Sequence, residues 1–260
     1  MAAINISTRM DYSFAQPTDV LIQIGVADAP FQQVQTEGLK VEGGDIKSVI
    51  SGIDGIGQRV WVSCNSPATF LHEASVTLGH SVPDLPRLSA GPRTALTAEQ
   101  VAYLLGSHYC PADEFRAYVS TEFAGLSGGP LVAALLDWIG THLAYVPGAS
   151  GPATTARDTF IQRQGVCRDF AHVLITLARA GGVPARYVSA YGPDVTPQDF
   201  HAVVQVLLEG QWWLVDPTAM ARAPELAIIG VGRDASDVAF MTSFGQAEMI
   251  AQQVSVTRAD

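Results

Sequence analysis

Short runs of β-prone residues, separated by turns, mark the first part of the chain. These runs are Ile4–Ile6, Tyr12–Phe14, Val20–Ile24 and Arg59–Cys64. Turn sequences such as Gly52-Ile-Asp-Gly55 lie among them, and short strands at such intervals are typical of a β-sandwich. A proline-rich passage between positions 82 and 92 then interrupts the pattern. We therefore predict an N-terminal, sandwich-like β-rich domain over residues 1–90.

After this passage, apolar residues recur at helical spacing, and strand-like segments return near position 200. Helical segments are predicted over 98–105, 113–123 and 131–143. Apolar residues at i, i+4, i+7 and i+8 predict one further, buried helix; they are Phe170, Leu174, Leu177 and Ala178. Gly181-Gly182 supplies the C-terminal stop of that helix. Helices and strands together predict an α+β domain over residues 95–260.

Two strand-like segments after the buried helix are predicted to pair as a hairpin. They are His201–Leu208 and Gln211–Asp216. Glu209-Gly210 between them supplies a tight turn. If the hairpin is centred on that turn, the sequence positions of any two facing residues add up to 419. Val203 then lies opposite Asp216. His201 lies on the same face as Val203, so its side chain is within reach of the Asp216 carboxylate.

Cys167 is predicted to lie in the first turn of the buried helix. The positive end of a helix dipole lowers the pKa of a thiol, and backbone N–H groups there can receive an oxyanion. A cysteine at a helix start, with histidine and aspartate on adjacent strands, is the layout of a thiol nucleophile with its base and orienting group. We therefore predict a Cys167–His201–Asp216 triad, although each residue alone also has a structural interpretation. The backbone N–H of Cys167 and the Tyr145 side chain are the candidate donors to the oxyanion.

The composition excludes several classes of partner. With 15 basic and 25 acidic residues the net charge is −10, which argues against nucleic acid and an anionic membrane as partners. Cys64, Cys110 and Cys167 are widely spaced without a CxxC pair, so neither a disulfide framework nor a zinc site is predicted. We predict no metal and no cofactor. The N-terminus lacks the pattern of a signal peptide, so we expect a cytoplasmic protein.

Four segments of the second region resemble the core of the transglutaminase-like superfamily. They are Gly165–Ala171, Gly182–Val188, Phe200–Val204 and Trp213–Thr218. The order Cys, His, Asp matches, and the close resemblance covers roughly residues 130–220. Weaker similarity to bacterial members extends to 107–113, 145–148 and 230–238. The resemblance implies a papain-like α+β core, in which a helix carrying the cysteine packs on an antiparallel sheet carrying the histidine and the aspartate.

The resemblance also implies attack of the cysteine on an amide carbonyl and an acyl-thioester intermediate. Family members either let water complete the reaction, as peptidases or amidases, or pass the acyl group to a lysine amine and cross-link proteins. This chain has neither the length of the large cross-linking enzymes nor a calcium loop of the D-x-[DN]-x-[DN]-G kind. We therefore favour a cysteine protease or amidase that acts on a peptide or protein amide. The alternatives are a protein-glutamine γ-glutamyltransferase and a non-catalytic peptide-binding module.

Overall fold

The computed structural model describes residues 2–29 and 31–259. Within them lie two larger antiparallel sheets, a short parallel strand pair and five α-helices. The helices are α1 (Ala98–Ala102), α2 (Arg116–Glu122), α3 (Gly128–His142), α4 (Ala156–Gln162) and α5 (Cys167–Ala180). The strands are β1 (Ala2–Phe14), β2 (Thr18–Ile22), β3 (Gln32–Ser51), β4 (Gln58–Leu78), β5 (Ala144–Tyr145), β6 (Gln164–Gly165), β7 (Ala185–Tyr191), β8 (His201–Leu208), β9 (Gln211–Val215), β10 (Ala227–Gly232), β11 (Met241–Ser243) and β12 (Ala247–Arg258). The predicted α+β class is confirmed.

The first sheet is a curled antiparallel sheet built around the long strand β4. On one side β4 pairs with β3 along most of its length, and on the other side it pairs first with β2 and then with β1. β12 pairs in turn with β1, and β11 with β2. Where β3 shifts register, Gly43 has φ +77°, and a Cβ there would lie 2.1 Å from the Pro67 carbonyl oxygen. Only glycine therefore lets the two strands approach at this point.

The burial pattern of β4 shows why this segment forms a strand with one face in a core. Every second residue from Ala68 to Leu78 is buried, which is the period at which side chains alternate between the faces of a sheet. Phe70 is fully buried and packs with Met10 and Ile22 of the neighbouring strands. Burial of each such side chain stabilises the fold by about 1.5–3 kcal/mol.

The chain returns to the first sheet near its C-terminal end. The predicted division assigns all residues from 95 to 260 to the second domain. In the structure, β11 and β12 instead add to the first sheet beside β2 and β1. The first sheet therefore contains strands from both ends of the chain, and the limits 1–90 and 95–260 stay a prediction.

The second sheet has the strand order β10-β7-β8-β9 and is antiparallel throughout. Helix α5 packs on one face, where Leu174 and Leu177 meet Val204 and Val206. The predicted buried helix is thus confirmed. The opposite face packs against Ala27 and neighbouring residues of the first region. The sheet therefore lies between α5 and the N-terminal part of the chain.

The tip of the β3–β4 hairpin is hydrogen-bonded to the second sheet. Asp54, at the tip, accepts hydrogen bonds from the Tyr103 hydroxyl at 2.7 Å and from Arg186 at 2.8 Å. Arg186 lies on β7, is buried, and stacks over the Trp212 ring at 4.2 Å. Because a buried guanidinium needs a paired carboxylate, this contact fixes how the hairpin sits on the second sheet.

Among the described residues, no helix is long and apolar enough to cross a membrane.

Candidate active site

Cys167 is the first residue of α5, and the turn before it is held by a buried carboxylate. Asp169 is fully buried and accepts a hydrogen bond from the Val166 backbone N–H at 2.8 Å and another from the Ser150 hydroxyl. A Cβ at Gly165 would lie 2.7 Å from the Asp169 Cβ, so glycine is required here. The Cys167 side chain itself is half-buried and free. Asp169 was not among the predicted site residues, although an acidic residue three positions after the N-cap is a known helix-start signal.

The hairpin that carries His201 has the predicted register. Val204 faces Val215 and Leu208 faces Gln211, so the position numbers of each pair add up to 419. His201 Nε2 lies 2.8 Å from Asp216 Oδ2. The carboxylate also accepts hydrogen bonds from the backbone N–H and hydroxyl of Thr218 and from the backbone N–H of Ala221. These contacts hold the carboxylate in place. They come from the loop after β9, and no sequence pattern predicted them.

The electrostatics of the pair favour a protonated imidazole and an ionised carboxylate. Burial opposes the charge on His201, but the hydrogen bond with Asp216 and the neighbouring Cys167 outweigh burial and raise its pKa to about 9. Burial likewise opposes the charge on Asp216, yet hydrogen bonds from His201, Ala221 and Thr218 lower the pKa of the carboxyl group. The other ring nitrogen, Nδ1, is buried and has no hydrogen-bond partner among residues 2–29 and 31–259. It is therefore available to the thiol of Cys167.

Tyr145 lies beside Cys167 because two short strands pair in parallel. β5 pairs with β6, which places Tyr145 opposite Gly165, and the Val146 N–H donates to the Gly165 carbonyl at 2.9 Å. Burial raises the pKa of the Tyr145 phenol to about 12, and the charge of the neighbouring Cys167 adds to this effect. The phenol therefore keeps its proton at neutral pH and can donate a hydrogen bond.

The remaining cysteines and His172 lie in packed surroundings. Burial raises the pKa of the Cys64 thiol to about 11 and that of the Cys110 thiol to about 12. His172 is fully buried, stacks on Tyr109 at 4.9 Å and accepts a hydrogen bond from the Ala235 N–H. Within the described part of the chain, no group of three or more His, Cys, Asp or Glu side chains is arranged to hold a metal ion.

Comparison with known proteins gives matches in the region that carries these residues. The family model of the transglutaminase-like superfamily matches residues 126–217, which include Cys167, His201 and Asp216. A crystal structure from Cytophaga hutchinsonii, named "a Putative Cysteine Protease", aligns over 100% of this chain and 91% of that chain. The alignment has 29% sequence identity and a TM-score of 0.92. The whole chain thus shares its fold with that protein, including the curled first sheet.

Two mycobacterial relatives match over shorter stretches. An uncharacterized protein of Mycobacterium leprae is 39% identical over 118 residues, which is 42% of this chain and 42% of the relative. An uncharacterized protein of Mycobacterium tuberculosis is 31% identical over 144 residues, which is 48% of this chain and 45% of the relative. The match spans less than half the length of either relative.

Proposed function

We propose that this protein is a thiol-dependent amide or peptide hydrolase, because residues 126–217 match the family model of the transglutaminase-like superfamily. Cys167 is the nucleophile, His201 is the acid and base, and Asp216 orients the imidazole. The observation that carries the proposal is the buried His201–Asp216 pair, joined at 2.8 Å, beside a half-buried cysteine at a helix start. The protein named "a Putative Cysteine Protease", with which the chain shares its fold, supports hydrolysis rather than amine transfer.

In the first step, the Cys167 thiolate attacks the amide carbonyl carbon while His201 is an imidazolium. A C–S bond forms, and the carbonyl oxygen becomes an oxyanion. The backbone N–H of Cys167 and the hydroxyl of Tyr145 donate hydrogen bonds to this oxygen. His201 then gives its proton to the leaving nitrogen as the C–N bond breaks, which leaves a thioester on Cys167.

In the second step, neutral His201 takes a proton from water as the water oxygen attacks the thioester carbon. The C–S bond breaks, the carboxylic acid product leaves, and the thiolate–imidazolium pair is restored. Asp216 stays ionised throughout, because its charge stabilises the imidazolium in both steps.

The proposal is tested by incubating the full chain with cell-derived peptides and comparing it with Cys167→Ala by chromatography and mass spectrometry. Each sample is run with and without an added primary amine. Hydrolysis predicts new peptide ends that appear with the wild type alone and do not require the amine. Incorporation of the amine would indicate a transferase, and retention of peptides without any product would indicate a binding module; either result contradicts the proposal.

Alkylation with iodoacetamide tests the activation of the nucleophile separately. Because the thiolate is the reactive species, we expect Cys167 to be labelled at least about tenfold faster than Cys64 and Cys110, whose thiol pKa values are raised by burial. Peptide mapping of the folded protein measures the three rates. Equal rates would show that Cys167 is not activated, and labelling in denaturant provides the reference in which all three react alike.

A further inference from the structure

An open cavity of about 630 Å³ adjoins the site on the side of α3. Its wall includes Asp216 of the predicted triad, Tyr145, and Phe170, which lies three residues after Cys167 on α5, so the cavity lies next to the predicted catalytic residues. Its volume lies within the range of about 300–1,000 Å³ that is typical of ligand pockets. The remaining lining comes from the loop after β9 and from the end of α3, where it includes Leu136, Asp137 and Leu143.

The lining combines apolar side chains with two carboxylates. Leu136, Leu143 and Phe170 supply apolar surface, and no lysine, arginine or histidine lines the cavity among the described residues. Of the two carboxylates, Asp216 is nearly fully buried and already accepts hydrogen bonds from His201 and from the loop that follows it. The Asp137 side chain is exposed, and within residues 2–29 and 31–259 it has neither a hydrogen bond nor an ion pair.

We propose that this cavity binds a positively charged residue of the substrate next to the amide bond that is attacked, and that Asp137 is the specificity-determining residue. This inference rests on the proposed function. A lysine or arginine side chain fits such a lining, because its aliphatic part packs on apolar walls while its charged end meets a carboxylate. An acidic side chain would lose hydration beside two carboxylates without gaining a cationic partner, so the same surface disfavours it.

The test profiles cleavage sites in a peptide library and uses charge reversal. The library is produced with a protease that cuts after glutamate, so that lysine and arginine stay inside the peptides. Wild-type cleavage sites, defined as new ends absent with Cys167→Ala, should be enriched about fivefold for lysine or arginine at one position flanking the cut, as expected for one partly exposed ion pair. Asp137→Asn should remove this enrichment, and Asp137→Lys should shift it to aspartate or glutamate at the same position.

Glu122→Lys provides the matched control, because Glu122 is an exposed helix residue on α2 that does not line the cavity. This variant makes the same change in net charge and should keep the wild-type profile. If the wild type cuts peptides without a preference for a cationic residue, or if Asp137→Lys leaves the profile unchanged, the inference is wrong while the proposed function stands. If the wild type produces no cuts at all, the proposed function itself fails. Thermal melting of each variant checks that it is folded.

Discussion

Among the residues that the structure describes, two buried histidines pair with carboxylates at the same distance, one in each large sheet. His201 Nε2 lies 2.8 Å from Asp216, and His72 Nε2 lies 2.8 Å from Glu37. Both imidazoles are buried, but the carboxylates differ. The side chain of Asp216 is 3% exposed, whereas that of Glu37 is 30% exposed. Water therefore screens the electrostatic interaction between His72 and Glu37 more strongly than the interaction between His201 and Asp216.

The surroundings of the second ring nitrogen separate the two pairs further. Nδ1 of each histidine is buried and has no hydrogen-bond partner among the described residues. The ring of His201 lies beside Cys167, which contributes to its raised pKa. The ring of His72 stacks on Tyr191 instead, with the ring planes only 10° apart. Cys64, on the same strand as His72, is eight residues away, or about 26 Å along an extended strand.

A buried histidine–carboxylate pair therefore does not by itself define an active site. In the first sheet it satisfies polar groups that burial would otherwise leave unpaired, since Glu37 also accepts a hydrogen bond from the Val26 N–H. In the second sheet the same pair adjoins a cysteine and a phenol donor. We therefore predict that the two histidines have different roles, one in catalysis and one in stability.

Replacement of each histidine by asparagine should give the largest difference in kcat/KM between the two pairs. General acid–base catalysis contributes about 10²–10⁴-fold, so we expect His201→Asn to lower kcat/KM by about a thousandfold on any peptide that the library screen identifies. His72→Asn should leave kcat/KM within about threefold and should lower the free energy of unfolding by about 1–3 kcal/mol, because it disrupts a buried hydrogen bond. Steady-state kinetics and urea denaturation measure the two quantities. Equal losses of activity in the two variants would contradict the division of roles.

Between about pH 6.5 and pH 9, the pH dependence of stability should come mainly from His201 in the second sheet. The pKa of His201 is raised to about 9 in the folded chain, against about 6.5 when unfolded. The folded state therefore binds the proton more tightly, so this contribution to stability is complete below about pH 6.5 and is lost as the pH rises through about 9. We expect a loss on the order of 3 kcal/mol.

Thermal melting between pH 6 and pH 9 measures this dependence, because the buried thiols of Cys64 and Cys110 affect stability only at higher pH. His201→Asn should flatten the decrease in melting temperature above pH 7, because the titrating group is absent. His72→Asn keeps His201 and should retain the decrease, displaced to lower melting temperatures. A decrease of the same size in wild type and His201→Asn would show that another group is responsible.

The local part of this architecture was predictable from the sequence. The helix that begins at Cys167 follows from its apolar stripe and its glycine stop, and the hairpin register follows from the turn at Glu209-Gly210, where both residues have positive φ. These features depend on residues close together in the chain. The amino-acid sequence alone was therefore enough to place His201 next to Asp216.

The long-range part was not predictable. β12 pairs with β1 across more than 230 positions of sequence, and a pattern within either segment cannot identify its partner. β3 was missed because its residues are mostly exposed and lack the alternation that marks a half-buried strand. The position of Tyr145 beside Cys167 depends on a pair of strands only two residues long, which is too short to give a periodic signal.

Replacing the carboxylate of each pair by its amide should give the smallest of these differences between the two pairs. It tests whether the charge of the carboxylate matters in one pair and not in the other. In Asp216→Asn, the amide oxygen can still accept a hydrogen bond from His201 Nε2, but the negative charge that stabilises the imidazolium is gone. Its NH₂ group also cannot accept the hydrogen bonds that Thr218 and Ala221 give to the carboxylate. We therefore expect kcat/KM to fall about tenfold, which corresponds to about 1.4 kcal/mol, because a charge-assisted hydrogen bond is replaced by a weaker, neutral one.

The pH profile of kcat/KM distinguishes this loss of charge from a general loss of structure. Without the Asp216 charge the pKa of His201 is lower, so the basic limb of the profile should move to lower pH in Asp216→Asn. In Glu37→Gln the basic limb should stay in place, because Glu37 lies in the other sheet and interacts with His72. If Asp216→Asn and Glu37→Gln moved the basic limb by the same amount, the charge on Asp216 would not be the cause of the raised pKa of His201. The two pairs would then be equivalent in this respect.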